Sequence, residues 1–472
     1  MLPDDVLLEI FDLYVDEDLY EGESYEIEVW QTLVHVCRRW RRVVFGSPRR
    51  LNLRLVWTPG TPARDMLDVR PSFPLLIPNV DSLTDSEDVD DIIAVLEHSD
   101  RVVEIDFFTR SDFDLEIVLA AMHVPFPELT RLGLWSIGGK VSVLPDSFLG
   151  GSAPRLQSLS LDHIPFPGLP KLLLSATHLV TLVLWDIPHS GYIPPEVMVT
   201  VLSTLITLNH LILVFKSPLS RPDWANRRLP PTTRSVLSVL QKNLFKGVYE
   251  YLEDLVIRID APRLSNLHIT LFNQIVFETP QLIQFISRSP ILETFEKAVV
   301  IFGSKAAGVK LSSQTSGYET LNMEISCIEL DWQVSSMEQV CTWCLPPLSM
   351  LEHLYIYESP YSRPFWKDNI ENTLWLELLR PFPAVKNLYL SDKFASLIAS
   401  ALQELTGGST TEVLPSLQNI FLEELQPSGT VQASIQQFTA TRQVTSHHIA
   451  VARWDNSKQD MENNIRHLSS YY

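Results

Sequence analysis

The chain has few of the residues and runs that mark secreted, membrane or nucleic-acid-binding proteins. Four cysteines in 472 residues are too few for the disulfide framework of a small secreted domain. No apolar run reaches the roughly 20 residues that a membrane span requires, and we find no basic-then-apolar leader. Lysine and arginine number 37 against 57 aspartate and glutamate, giving a net charge of -20. Because nucleic acids and anionic membranes need a positive field, we expect neither as a partner, and we expect a cytoplasmic or nuclear protein.

Motifs for bond chemistry are also missing. The sequence holds no Gly-x-Ser-x-Gly and no Gly-x-x-x-x-Gly-Lys. Cys341 and Cys344 form one Cys-x-x-Cys pair with His353 nearby, whereas structural zinc needs four ligands, usually two such pairs. The acidic run 81–91 lacks the glycine and terminal glutamate spacing of an EF-hand. We therefore expect no catalytic residue, no cofactor and no metal, and we interpret the two cysteines as residues on a helix face.

The N-terminal 50 residues have a helical pattern. Leu2–Phe11 reads Leu-Pro-Asp-Asp-Val-Leu-Leu-Glu-Ile-Phe, with Pro3 suited to a first turn and two aspartates where the helix dipole favours negative charge. A second helix is predicted over Glu28–Phe45, which contains Val36–Arg42, Val-Cys-Arg-Arg-Trp-Arg-Arg. Helices this short are marginal alone, so we expect them to pack on each other. Pattern alone also allows a simple helical cap on the next domain.

These two stretches resemble the two ends of an F-box, the helical module that docks a protein onto Skp1 in cullin-type ubiquitin ligases. The resemblance implies two partners, a Skp1-like adaptor and, through it, a cullin. It also implies that the matching positions form the core of the module and its Skp1-binding surface. Those positions are Leu2, Pro3, Ile10, Phe11, Val36, Cys37 and Trp40. The acidic stretch 16–28 between the helices is a departure from the family pattern.

Beyond this module, the pattern apolar-x-x-apolar-x-apolar recurs at starts 23 to 34 residues apart. Clear copies begin at Leu129, Leu156, Leu179, Leu208, Leu264, Leu351, Val385 and Leu417, and weaker ones at Val102, Leu240, Leu292 and near Leu321. The last positions of each copy alternate as in a half-buried strand, and the period resembles that of an irregular leucine-rich repeat. Helices are predicted between the strands, over Pro170–Ala176, Glu196–Leu205, Val248–Ile259, Gln281–Ser287, Met337–Cys344, Leu374–Leu379 and Ala395–Leu405.

The predicted fold class is therefore an α/β repeat: a small helical F-box, then an irregular leucine-rich-repeat solenoid whose layers stack to bury their apolar faces. A doubly wound α/β domain is the alternative, but no glycine-rich phosphate loop follows any strand. The predicted divisions are 1–55 for the F-box module, 56–98 for a connection and capping helix, 99–427 for the solenoid and 428–472 for a cap and frayed tail. The whole chain also resembles a group of fungal F-box proteins, through Leu51–Pro74, Pro145–Pro170 and Ile325–Val340.

In a solenoid of this type, residues flanking the last two apolar positions point to the concave side. Aromatic and arginine side chains dominate binding hot spots, so those at these positions are the candidate substrate-binding residues. They are Phe108, Arg131, Trp135, Trp185, Tyr355, Tyr357, Tyr389 and Phe421. The other interpretation is that these aromatics cover the ends of the sheet. The predicted function is substrate recognition in a Skp1–cullin–F-box ubiquitin ligase, with an unidentified protein as substrate. The alternative is a stand-alone repeat scaffold without ligase function.

Overall fold

A computed structural model describes most of the chain. The described residues are 2–16, 30–47, 51, 54–58, 62–63, 67, 73–80, 86–109, 112–136, 143–220, 233–272, 279–292, 295–313, 319–359, 370–405, 413–423, 429–444 and 448–454. The chain forms two compact units, Met1–Thr181 (unit 1) and Leu182–Tyr472 (unit 2). Within the described ranges, no helix combines the length and the apolar character needed to cross a membrane.

Unit 1 begins with three helices: α1 (Asp4–Asp16), α2 (Trp30–Val36) and α3 (Arg38–Gly46). The single helix predicted over Glu28–Phe45 is wrong, since the chain breaks at Cys37, whose φ and ψ of -159° and 168° are extended. The Cys37 Sγ accepts a hydrogen bond from the Trp40 backbone N–H at 3.4 Å, which satisfies one free N–H of the new helix start. Residues 28 and 29 lie outside the described residues.

Aromatic packing and an ion pair hold α1 against α3, and the Arg41 side chain of α3 donates to the Val34 carbonyl of α2 at 3.0 Å. Phe11 has no exposed surface, and its ring centroid lies 4.8 Å from that of Trp40. Leu7 and Val44 are buried beside them. Arg39 forms a salt bridge to Asp4 at 2.6 Å and donates to the Leu2 carbonyl. These contacts tie the start of α1 to α3, so the two sequence stretches that resemble an F-box are joined in space.

The rest of unit 1 is a parallel sheet with intervening helices. Its strands are β1 (Leu55–Val56), β2 (Leu75–Val80), β3 (Val102–Thr109), β4 (Arg131–Ser136) and β5 (Ser158–Asp162), and its helices are α4 (Ser86–Leu96), α5 (Asp112–Ala121) and α6 (Leu169–Leu173). Neighbouring strands pair in parallel in this order. The sheet therefore starts at Leu55, ahead of the repeat start predicted at 99.

Unit 2 carries the longer run of strands. After β6 (Thr181–Ile187), which crosses the unit boundary, these are β7 (His210–Phe215), β8 (Ser235–Val236), β9 (Lys242–Gly247), β10 (Ile259–Asp260), β11 (Asn266–Leu271), β12 (Lys297–Phe302), β13 (Ala306–Ser312), β14 (Glu319–Ser326), β15 (His353–Glu358), β16 (Asn387–Leu390), β17 (Asn419–Leu422) and β18 (Ala450–Arg453). Its helices are α7 (Pro195–Leu202), α8 (Tyr249–Val256), α9 (Pro280–Ser287), α10 (Leu330–Trp343), α11 (Asn372–Leu379), α12 (Asp392–Gln403) and α13 (Gly429–Val444). Strands β8 and β10 form a separate parallel pair.

The main sheet of unit 2 runs in the order β7-β9-β11-β14-β13-β12-β15-β16-β17-β18. All neighbours pair in parallel except β13, which is antiparallel to both β12 and β14. The repeat copy predicted at Leu292 is displaced, because β12 begins five residues later, at Lys297, whereas in the copy at Leu351 the strand begins two residues later. The antiparallel meander of β12, β13 and β14 was not predicted.

The remaining elements confirm the coarse prediction of an α/β repeat with parallel strands and connecting helices. Each predicted helix is present with shifted ends, and the largest change is α10, which begins at Leu330 and not at Met337. Pro195 and Pro280 open α7 and α9, where a missing N–H costs nothing and the fixed φ suits a helix. Along β15, β16 and β17 the leucine and isoleucine side chains are buried while the residues between them are half-buried. Alternate residues therefore form a strand face that partners can reach.

An aromatic cluster fills the core of unit 2 beneath β7, β9 and α8. The ring centroid of Tyr251 lies 4.7 Å from that of Phe215 and 5.9 Å from those of Phe245 and Tyr192. The Tyr251 hydroxyl, which is buried, donates to the Ile193 carbonyl at 3.1 Å. Aromatic pairs at these separations contribute about 0.5–1.5 kcal/mol beyond their buried area, so the cluster fixes α8 against the sheet.

Candidate functional site

The N-terminal module presents an apolar stripe on the side of α1 that faces away from its core. Leu2, Val6, Ile10 and Leu13 make up this apolar stripe, and they are 52%, 38%, 45% and 71% exposed. Val6, Ile10 and Leu13 are spaced i, i+4 and i+7, which places them on one helix face. Val36, at the end of α2, is also exposed. A helix with apolar residues on both faces has more apolar surface than its own module buries.

Six of the seven F-box positions, all except Cys37, are the predicted Skp1-binding residues, and they occupy two different environments. Leu2, Pro3, Ile10 and Val36 are exposed, and Phe11 and Trp40 pack against each other. Because Phe11 is fully buried, its role is to hold α1 on α3, and a partner would meet the apolar stripe. Sequence reasoning missed Val6 and Leu13 as surface residues. Their signal was the spacing of four and three residues on either side of Ile10.

In unit 1, the predicted substrate-binding residues Phe108, Arg131 and Trp135 lie on adjacent strands. Phe108 and Trp135 are register partners on β3 and β4, and Arg131 is 3.1 Å from Asp106. The Trp135 ring lies over Gly133, where an added Cβ would come within 2.1 Å of a ring carbon. Burial raises the pKa of Asp106, although Arg131 opposes this effect. The Trp135 ring therefore packs on the strand face above Gly133.

In unit 2, three of the predicted residues form one aromatic stack. Tyr355, Tyr389 and Phe421 are register partners on β15, β16 and β17. Their ring centroids are 4.1 Å and 4.5 Å apart, with planes tilted by 4° and 8°. The Lys297 ammonium lies 4.5 Å from the Tyr355 centroid, a separation at which cation–π attraction operates. Trp454 meets both tyrosines edge-on at 5.7 Å, so the residue that follows β18 covers part of this aromatic stack.

Two of the predicted residues in unit 2 lie outside the aromatic stack. Tyr357 is half-buried at the end of β15, where its register partner is Ile301 of β12. Trp185 is half-buried on β6. The structure therefore assembles Tyr355, Tyr389 and Phe421 into one surface, and it places the other five candidates elsewhere on the two strand faces.

A row of polar side chains runs beside the aromatic stack. His353, Asn387 and Asn419 are register partners; the Asn419 amide donates to Asn387 Oδ1 at 2.7 Å, and Asn387 Nδ2 lies 3.4 Å from His353 Nδ1. Burial lowers the pKa of His353, and the charges of Lys297 and Lys386 add to this effect while Glu352 and Glu296 oppose it. A neutral His353 can accept the hydrogen bond from Asn387, so this row is a chain of oriented amides.

A second polar network lies on β11 and β14, and sequence reasoning missed half of it. Thr270 donates to Glu324 at 3.2 Å, the His268 Nε2 is 3.7 Å from the same carboxylate oxygen, and Asn322 Nδ2 is 3.3 Å from His268 Nδ1. In the copy that begins at Leu264, His268 and Thr270 fall at the flanking positions that the repeat pattern predicts for the strand face. Asn322 and Glu324 were not, because the repeat near Leu321 matches the pattern weakly.

The pKa of Glu324 gives this network a testable pH dependence. Burial acts to raise that pKa, but the contacts of His268 and Thr270 and the charge of Lys310 outweigh it and hold it below 4.5. Since the folded pKa is lowered, the ionised carboxylate stabilises unit 2 above pH 4.5 and this contribution is lost as the pH falls below it. We expect Glu324→Gln to lower the urea stability by less than about 1 kcal/mol at pH 7 and by nothing measurable at pH 3.

The matched control for Glu324→Gln is Glu97→Gln, which changes the same group at an exposed position after α4. Urea midpoints of both variants and of wild type at pH 7 and pH 3 make the comparison. A deficit of Glu324→Gln that is equal at the two pH values would contradict the network.

The Cys-x-x-Cys pair lies in the core. Cys341 and Cys344, at the C-terminal end of α10, are both buried. Burial raises the pKa of Cys341 and raises the pKa of Cys344 to about 12. Thiolates, the form needed for metal binding and redox chemistry, are therefore disfavoured here at neutral pH.

Comparison with known proteins gives little beyond this geometry. No family model matches the chain, and no curated protein matches it. Among solved structures, the chain is similar to the leucine-rich repeat-containing protein LegL7 from Legionella pneumophila. The identity is 10%, the match covers 77% of this chain and 98% of that one, and the TM-score is 0.27. The fold and the strand face define an α/β repeat protein whose parallel strands carry buried leucines in register.

Proposed function

We propose that this chain is a substrate-recognition adaptor of a Skp1–cullin–F-box ubiquitin ligase. The observation that carries the proposal is the apolar stripe. Its four apolar side chains, Leu2 just before α1 and Val6, Ile10 and Leu13 on α1, are not buried by the module, and they lie in the N-terminal region that resembles an F-box. Exposed apolar patches of this kind mark protein interaction sites, and a Skp1-like adaptor is the partner that the resemblance implies.

The internal packing of the module supports this role. Phe11 and Trp40 hold α1 against α3, and the Arg39–Asp4 salt bridge fixes the start of α1. The apolar stripe is therefore presented on a folded surface, which reduces the ordering cost of binding. The same contacts bring together in space the two halves of the motif, which are separated in sequence.

The repeat units would supply substrate recognition. Their strand faces carry aromatic and polar side chains between buried leucines, and these are the residue types that dominate interface hot spots. An adaptor that holds a substrate beside a ligase raises the effective concentration of the substrate near the ubiquitin thioester. No step of bond chemistry is assigned to this chain.

The proposal is tested by co-expressing the full chain with a Skp1-like adaptor and purifying on a tag carried by the chain. We expect the adaptor to be recovered in equal molar amount through gel filtration. If the chain elutes without the adaptor, the ligase role fails, and a stand-alone repeat scaffold becomes the better description.

A further inference from the structure

The strand face of unit 2 carries a surplus of positive charge in a chain whose net charge is -20. Along the described strands of the main sheet of unit 2, four lysines and one glutamate alternate with the buried residues and so belong to this face. They are Lys242, Lys246, Lys297, Lys310 and Glu324. Glu358 ends β15 and is paired with Lys393, and Glu423 follows β17. His210, His268 and His353 lie on the same face. On these strands the face therefore carries more lysines than carboxylates, although acidic residues outnumber basic ones in the chain as a whole.

The register places the lysines at two positions along the sheet. Lys242 and Lys246 lie on β9, Lys310 on β13 and Lys297 on β12. In the strand order β9-β11-β14-β13-β12, β13 is three steps from β9 and β12 is four. At about 4.8 Å per step this is roughly 14 to 19 Å. An extended chain of about four to six residues at 3.3 Å each covers that distance.

The side chains between these two positions are suited to a polypeptide. His268, Thr270 and Asn322 lie on β11 and β14 and present polar groups. Glu324 accepts a hydrogen bond from the Thr270 hydroxyl and lies 3.7 Å from His268, and the charge of Lys310 also acts on it. Beyond Lys297 the aromatic stack begins. Glu352, at the edge, is paired with Lys386 at 2.5 Å.

We propose that the strand face of unit 2 binds an extended acidic peptide segment, with two carboxylate clusters four to six residues apart. One cluster meets Lys242 and Lys246, and the other meets Lys310 and Lys297. This inference rests on the proposed function, because it names the substrate class of the same repeat face. A nucleic acid fits less well, since its evenly spaced phosphates need a continuous row of cations and Glu324 interrupts this one.

The test uses the full chain, purified with the adaptor, and fluorescence anisotropy. The probe is a fluorescein-labelled glycine–serine peptide with two Glu-Glu pairs five residues apart, and the comparison peptide has glutamine in place of glutamate. We expect the glutamate peptide to bind at least tenfold more tightly and to weaken as salt is raised. The double variant Lys242→Glu/Lys246→Glu and the single variant Lys310→Glu should each weaken it at least tenfold.

Two further variants keep the result interpretable. Lys297→Gln removes the charge over Tyr355 while keeping a long side chain, so it should weaken binding without changing the thermal midpoint. Lys171→Glu makes the same charge reversal at an exposed site on α6 of unit 1, and it should bind the glutamate peptide as wild type does.

Equal binding of the glutamine peptide, or an equal loss with Lys171→Glu, overturns the inference. Tighter binding of a single-stranded oligo-thymidine than of the glutamate peptide overturns it in favour of a nucleic acid. Adaptor recovery from the same samples separates the two proposals. If the adaptor is recovered but the peptide does not bind, the acidic substrate class is ruled out and the ligase role stands. If the peptide binds but no adaptor is recovered, the acidic ligand is supported and the ligase role is ruled out.

Discussion

Replacing Val6 and Ile10 with aspartate is expected to weaken binding of a Skp1-like adaptor by about 100-fold or more. Both side chains are substantially exposed in the apolar stripe, so a carboxylate there meets water in the free chain and apolar surface in the complex. Hot-spot residues contribute about 2 kcal/mol or more each, and 1.4 kcal/mol is a factor of ten in affinity. Surface plasmon resonance with immobilised adaptor measures the loss directly.

The control for this variant is the pair Ile206→Asp and Leu219→Asp, which places the same change at exposed apolar positions of unit 2, 70% and 73% exposed. We expect this pair to bind the adaptor as wild type does. A third variant, Phe11→Ala, removes a buried ring from the module and should lose both binding and the folding of α1. Unchanged affinity of Val6→Asp/Ile10→Asp would show that the adaptor, if it binds, uses another surface.

The sequence predicts best where local pattern and neighbouring strands agree. The copies at Leu351, Val385 and Leu417 give three parallel strands in full register. That register alone places the flanking Tyr355, Tyr389 and Phe421 side by side. Because side chains in a strand alternate between faces, a correct strand start fixes which residues share a face. The partial cover by Trp454 does not follow from pattern, since it depends on where the chain lies after β18.

The meander β12–β14 shows why a repeat period can mislead. Antiparallel and parallel strands have the same two-residue alternation, so Ala298, Val300 and Phe302 are compatible with either direction. The connection decides between them. A turn of three residues, Gly303 to Lys305, is too short for the crossover of a dozen or more residues that parallel strands need. The short connection therefore indicates an antiparallel pair.

The module illustrates a different difficulty. Along α1 both faces are apolar, with Leu7 and Phe11 on one and Val6 and Ile10 on the other. Such a pattern predicts that both faces of α1 pack against something. It does not predict which face packs inside the module and which is left for a partner. The break at Cys37 adds to this, because no glycine or proline marks it, and it determines where α3 and Trp40 lie. The exposed surface therefore required the packing of all three helices.

Unit 2 should depend strongly on the aromatic cluster around Tyr251. Tyr251 has no exposed surface, and Tyr251→Ala leaves a cavity among Phe215, Phe245 and Tyr192. We expect a loss of about 3–5 kcal/mol, the usual range for truncating a large buried aromatic side chain. Tyr251→Phe keeps the ring and removes the hydrogen bond to Ile193, so a loss of about 1 kcal/mol in the free energy of unfolding is expected.

Trp343→Ala, at a ring that is 56% exposed on α10, should change stability by less than about 0.5 kcal/mol. Urea unfolding followed by far-ultraviolet circular dichroism ranks the three variants, and an effect of Trp343→Ala as large as that of Tyr251→Ala would mean that the core of unit 2 does not lie between α8 and the sheet. With the expected ranking, the cluster holds α8 against β7 and β9, the strand that carries Lys242 and Lys246.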